Sequence, residues 1–182
     1  VLADGSEYRG RYGLGPRALR DFHAPRLELL AHAGPDLLAV ETIPDADEAE
    51  VLVDLLDDLG LPAWFSYSVD GLTTRAGQPL HDAFAAVASG MAVFAVGVNC
   101  CAPGDVLPAL EVARSVTDRP LVAYPNSGEA WDAAARDWSG ASAYDVTLAP
   151  EWVAAGARYV GGCCRVGPDD IARLADIVTG PG

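Results

Sequence analysis

Five short runs of consecutive apolar residues, at 36–43, 63–69, 93–100, 120–124 and 158–162, constrain this chain more than any other feature. Each is read as a strand. Continuous rather than alternating apolar strands predict a parallel sheet covered on both faces. Between them lie segments with helical spacing. Residues 15–33 carry Leu19, Phe22, Leu27 and Leu30, and Pro25 predicts a kink or break there. Asp45 reads as an N-cap with Glu48 as its capping-box partner, Ala49, Leu52, Val53 and Leu56 form the apolar face, and Gly60 ends the helix. Further helices are expected over 80–89, 103–116 and 145–155, and Pro168 opens the last. A long loop is expected over 125–144.

A βα repeat of this kind is either a doubly wound sheet or part of an eight-stranded barrel. No Gly-x-Gly-x-x-Gly follows a strand, so the dinucleotide marker is absent. Polar residues collect at the carboxyl ends of strands: Glu41, Ser66 or Ser68, Asn99-Cys100, Tyr124 to Asn126, and Cys163-Cys164. Barrels build their sites on that face, so the α/β reading preferred is the (βα)8 barrel. Five strands cannot close one.

The chain has 182 residues, 51% of them apolar, which suits one globular domain over 1–182. No apolar run approaches the roughly 20 residues that span a bilayer. The net charge of −14 disfavours nucleic acid or an anionic membrane as partner. It would attract a cationic substrate. All 12 basic residues are arginine, so lysine Schiff-base chemistry cannot come from this stretch. The start, Val1-Leu2-Ala3-Asp4-Gly5, is not a signal peptide, and without an initiator methionine it is expected to lie inside a longer chain. A cytoplasmic location is expected.

All four cysteines follow two of the strands, as Asn99-Cys100-Cys101 and Gly161-Gly162-Cys163-Cys164. Three readings compete: small buried core residues, a disulfide such as Cys100 to Cys163, and a zinc site. Zinc is favoured, since thiolates are soft ligands and three sulfurs with one open position are a catalytic pattern. Gly161 and Gly162 are expected to let the backbone turn so that both following thiols reach one ion. His23, His32 and His81 fall on helices and supply no general base. A three-thiolate zinc activates water poorly but holds a substrate thiol deprotonated. Alkyl transfer to sulfur is the chemistry it supports best.

The stretches 2–8, Phe22-His23, 37–43, 96–100, 124–129 and 161–164 resemble the homocysteine S-methyltransferase family, particularly its S-methylmethionine-using bacterial and plant members. The resemblance covers essentially the whole chain. It implies a (βα)8 barrel, with this chain supplying about the last five βα units and the N-terminal third missing. It implies Cys100, Cys163 and Cys164 as zinc ligands, with no catalytic residue beyond them, and Cys101 as a bystander. The implied reaction moves a methyl group from a sulfonium donor (S-methylmethionine or S-adenosylmethionine) to L-homocysteine, giving methionine. Glu41 is implied to hold the substrate ammonium, with surface placement or helix capping as its alternative. Asn99 and residues 124–129 would shape the pocket, though Asn126-Ser127-Gly128 is equally a turn. A barrel lacking its first units would expose sheet edges and apolar faces. The rival reading is a truncated barrel that binds zinc or a partner without turnover.

Overall fold

The computed structural model describes residues 5–132 and 137–180. Leu2, Ala3 and Asp4 of the resembling stretch, and 133–136 of the expected long loop, lie outside the described residues. A 3-10 turn at Ser6–Tyr8 precedes α1 (Pro16–His32), β1 (Leu38–Ile43), α2 (Ala46–Leu59) and β2 (Ala63–Tyr67). Two short strands, β3 (Val69–Asp70) and β4 (Thr73–Thr74), then lead to α3 (Leu80–Ala88), β5 (Val93–Asn99), α4 (Pro103–Val116) and β6 (Leu121–Tyr124). After these come β7 (Ala130–Asp132), β8 (Asp137–Ser139), α5 (Ala149–Ala154), β9 (Ala157–Val160) and α6 (Pro168–Thr179).

The five expected strands form one parallel sheet in the order β1-β2-β5-β6-β9. Order in space therefore follows order in sequence, with no reversal of the kind that marks a doubly wound sheet. The helices pack in the same succession, α1 on α2, α2 on α3, α3 on α4, α4 on α5 and α5 on α6. This is the arc of a (βα) barrel.

The expectation that both sheet faces are covered is corrected. Register puts Val40, Phe65, Val96 and Leu121 on the helix side, with Tyr67, Val98 and Ala123 one pleat further on, and all seven are buried. Burying each of the valine, leucine and phenylalanine side chains contributes about 1.5–3 kcal/mol. The other face is only partly covered: Ser66, Ala95, Asn99 and Val122 on it are buried, but Ala39, Glu41 and Tyr159 are exposed and Trp64 and Phe94 half-buried. Apolar continuity arises here because many inner-face residues (Ala39, Trp64, Phe94, Val122) are apolar too, not because helices cover them. At the ends of the sheet, β1 and β9 each pair on one side among the described residues.

One local expectation is narrowed and another corrected. Pro25 does not break α1. Leu19, His23 and Leu27, at four-residue spacing, are buried on both sides of it, so one lost backbone bond is outweighed by a continuous packed stripe. Asp45 caps α2 by accepting from the Asp47 N–H at 3.1 Å, but Glu48 does not close a capping box. Its carboxylate is buried, meeting His23 Nε2 and the Tyr12 hydroxyl at 2.8 Å each, and so ties α1 and the chain before it to α2. Within the expected loop, β7 and β8 form a hairpin with Trp131 and Trp138 in ring contact.

Candidate functional site

Cys100 follows β5, and Cys163 and Cys164 follow β9, all at the carboxyl edge of the sheet. Their Sγ atoms lie within 4.8 Å of one another. Cys100 and Cys164 are 3.7 Å apart, and Cys163 and Cys164 4.0 Å. These are free thiols, not the expected alternative of a disulfide. Ligands at about 2.3 Å from a tetrahedral zinc stand about 3.8 Å apart, so the donor set and its spacing fit one such ion. Cys101 stands apart, fully buried in the core, and burial pushes its thiol up to about 12.

The loop after β6 holds the paired cysteines in place. Cys163 N–H donates to the Pro125 carbonyl at 2.8 Å, and Ser127 N–H to the Cys164 carbonyl at 3.0 Å. Asn126 N–H bonds the Cys101 carbonyl at 3.0 Å, so one loop binds both thiol segments. Asn126 Oδ1 accepts from Gly128 N–H at 2.8 Å, so the turn reading of this loop holds. Outside it, Glu129 accepts from Arg165 Nε at 2.6 Å, which holds its carboxyl below the usual carboxylate range.

The expected role of the glycine pair is corrected in its reason. Neither Gly161 nor Gly162 has positive φ; a Cβ on Gly162 would instead fall 2.5 Å from Val166 Cβ. Close approach of the returning chain is what requires glycine there. Among the described non-glycine residues, left-handed conformations belong to Arg11 (φ 56), Thr42 (φ 60), Cys100 (φ 49) and Arg165 (φ 64), the last three beside the thiols or the Glu41 end of β1. For a β-branched residue such as Thr42 this is a strained state, and strain of this kind collects at functional sites.

Asn99 holds Thr42 there. Its Oδ1 accepts from Thr42 N–H at 2.8 Å and its Nδ2 donates to Thr42 Oγ1 at 2.7 Å. The same amide meets Ser66 Oγ at 2.8 Å and approaches Cys163 Sγ at 4.0 Å. Asn99 is fully buried. The residue expected from sequence to contact substrate thus has its amide engaged with Thr42 and Ser66 in this structure, bridging β1, β2 and β5.

Glu41 is exposed on the inner face of β1, with β2 between that strand and β5, which Cys100 follows. Its Oε2 accepts from the Tyr124 hydroxyl at 3.0 Å. That hydroxyl also meets Trp64 Nε1 at 3.0 Å and Ser66 Oγ at 2.7 Å. Since the indole can only donate, the phenol oxygen accepts there, and with the Ser66 proton given to Asn99 Oδ1 the single phenol proton is shared between Glu41 and Ser66 Oγ. Burial, foremost, pushes the Tyr124 phenol up, so it stays protonated. Trp64 escaped the sequence reading, which placed Ser66 and Tyr124 at strand ends on the site face but not their hydrogen-bond partners; the signal for Trp64 was an aromatic residue at an alternate position of an apolar strand.

The thiols share their protons unequally. The hydrogen bond from Cys100, opposed by burial, holds Cys163 down at about 6. That same bond, with burial next, pushes Cys100 up, and burial followed by the Cys163 charge pushes Cys164 up. One thiolate therefore forms readily, stabilised by donors from its neighbours. A cation of soft character would take the place of the remaining protons.

Comparison with known proteins agrees with this geometry. The homocysteine S-methyltransferase family model matches residues 1–178. Homocysteine S-methyltransferase of Escherichia coli is 46% identical over 178 residues, covering 95% of this chain and 57% of its own. Homocysteine S-methyltransferase 4 of Zea mays is 44% identical over 186 residues, covering 97% of this chain and 54% of its own. The crystal structure of the metallated form of the homocysteine methyltransferase MmuM from Escherichia coli superposes with a TM-score of 0.81 at 43% identity, covering 95% of this chain and 56% of that one. The chain thus spans a little over half the length of these relatives. With its barrel arc, its three converging thiols and a match along nearly its whole length, the chain belongs to the homocysteine S-methyltransferase family.

Proposed function

We propose that this chain carries the thiol-binding part of an enzyme that moves a methyl group from a sulfonium donor, S-methylmethionine or S-adenosylmethionine, to L-homocysteine, giving methionine. The observation that carries the reading is the convergence of Cys100, Cys163 and Cys164 to within 4.8 Å at the carboxyl edge of the sheet. These residues would hold zinc, which when bound supplies the Lewis acidity that keeps a fourth sulfur ligand ionised. Glu41, aimed by Tyr124, holds the acceptor's ammonium. Asn99 fixes Thr42 and, through it, the end of the strand that bears Glu41. The acceptor sulfur, its proton lost to solvent, attacks the methyl carbon in line. The methyl–sulfonium bond breaks, its electron pair stays on the donor sulfur, and a neutral thioether leaves. No general base is needed, in keeping with the placement of His23, His32 and His81 on helices. Residues 1–182 are taken as a single domain contributing five of eight βα units, working on small molecules in the cytoplasm.

The partly open inner face, with β1 and β9 each paired on one side only among the described residues, favours one rival: a partial barrel that binds the metal without turnover. Both are tested by metal analysis and methionine formation, using this chain and a form extended to the relatives' full length, each with and without Cys163→Ala. The reading requires stoichiometric zinc in both parents and methionine from the extended one, each abolished by the substitution. Zinc without methionine from either would favour the rival. Absence of zinc from both would end both readings.

A further inference from the structure

In a chain of net charge −14, one cleft is cationic. It has a volume of about 790 Å³ and is lined by Arg9, Arg11 and Arg75, with Gly10, Tyr12 and Ala76 among its other walls. Elsewhere arginines meet carboxylates, as Arg20 does Asp58, Arg165 Glu129 and Arg173 Asp170. Arg11 and Arg75 have no ion pair among the described residues. Arg11 is aimed by its Nε donating to the Ala76 carbonyl at 2.6 Å and by its backbone N–H donating to Asp45 Oδ2 at 2.7 Å, which leaves the two terminal nitrogens of its guanidinium without a carboxylate partner. The Arg75 side chain is exposed.

The cleft stands on the functional face. Ala76 N–H bonds the carbonyl of Pro44, the residue after β1, at 2.9 Å, and Arg75 N–H bonds the Ser68 carbonyl beyond β2 at 3.2 Å. Ser68 Oγ in turn donates to the Cys100 carbonyl at 3.3 Å. The segment bearing Arg75 is therefore linked through one residue to the first thiol, at the strand ends where parallel α/β folds bind ligands.

We propose that this cleft seats the α-carboxylate of the sulfonium amino-acid donor, with Arg11 and Arg75 as its holders. The inference rests on the methyl-transfer reading above. An acidic chain attracts a sulfonium but repels the donor's own carboxylate. A local pair of guanidinium groups without carboxylate partners reverses that for the carboxylate alone, which orients the molecule with its sulfonium away from the arginines. Guanidinium is suited to the task because its planar fork matches a carboxylate.

The test is calorimetric titration of the full chain with S-methylmethionine, its methyl ester, and homocysteine, using the parent, Arg75→Ala and Arg75→Lys. The expected result is that esterification or Arg75→Ala each weakens donor binding about tenfold, as for loss of one charge-assisted contact. The two losses should not add, Arg75→Lys should lie between, and homocysteine should bind all three proteins alike. Equal binding of acid and ester by the parent overturns the proposal. So does an Arg75→Ala loss that is the same for acid and ester. Parent protein that binds homocysteine but neither donor form overturns the cleft assignment and leaves the acceptor site standing. Binding of none of the three overturns both.

Discussion

Replacing Asn99 by alanine removes three hydrogen bonds of 2.7–2.8 Å in one step, to Thr42 N–H, Thr42 Oγ1 and Ser66 Oγ. At about 1 kcal/mol net for each bond, plus about 1–3 kcal/mol for a backbone N–H left unpaired, the cost sums to about 4–6 kcal/mol. Release of Thr42 from its left-handed conformation returns about 1 kcal/mol of that. The expected loss is therefore about 3–5 kcal/mol, a large part of the total stability of an ordinary domain. Urea unfolding followed by circular dichroism reads it as a fall in midpoint at unchanged slope. Because Asn99 Nδ2 also reaches toward Cys163 Sγ, at 4.0 Å, zinc competition against a chromogenic chelator should show affinity lowered about 10- to 100-fold, as for other groups that orient metal ligands. Asn99→Asp keeps the acceptor for Thr42 N–H and loses the amide donors, so it should fall between parent and alanine. An alanine variant within about 0.5 kcal/mol of the parent, the spread of an ordinary surface substitution, and with unchanged zinc affinity, would refute the bridging role.

Three further outcomes follow from the same geometry. Tyr124→Phe leaves Glu41 without its donor and the Trp64 indole without its acceptor; homocysteine binding should weaken about tenfold while zinc affinity holds, and a change in zinc affinity alone would contradict the assigned role. In metal-free protein the Cys163 thiol, lowered from 9.0 to about 6, is ionised above that value, so iodoacetamide labelling located by mass spectrometry should rise through pH 6 at Cys163 and at much higher pH at Cys101. A Cys163 labelling curve centred near pH 9 would contradict the hydrogen-bonded trio. Gly97→Ala puts a Cβ 1.8 Å from the Val122 carbonyl oxygen on the neighbouring strand, so β5 and β6 must separate; a loss above about 3 kcal/mol is expected, and near-parental unfolding would show the strands closer to alanine-tolerant than they stand.

Much of the architecture was legible because short strands and amphipathic helices alternate with clear punctuation: α4 begins at Pro103, α6 at Pro168, and α2 ends at Gly60, all as read. The cysteine trio was legible because thiols are rare and sit directly after two strands. What escaped was lateral. That Asn99 grips Thr42, or that Tyr124 crosses to Glu41, depends on strand register, which a single chain read end to end does not display. Glu48 misled for the same reason: three residues past an N-cap it fits a capping box, but its partners come from α1 and Tyr12. Covered and bare sheet faces were confused because Ala39, Trp64 and Phe94 are apolar on a face without helices.

Cys100 and Cys164 lie 64 positions apart in the chain, and β6 separates their strands in the sheet. The three sulfurs converge only after β5, β6 and β9 have aligned, so the unfolded chain offers no comparable donor set. An ion that binds the folded form alone adds RT ln(1 + [ion]/Kd) to stability, about 2.7 kcal/mol at a hundredfold excess over Kd. For a sheet whose β1 and β9 each pair on one side only among the described residues, that is a substantial share of what keeps strands paired. Metal supply would therefore govern the folded yield of this chain as well as its chemistry, and a chelator would act on it as a denaturant.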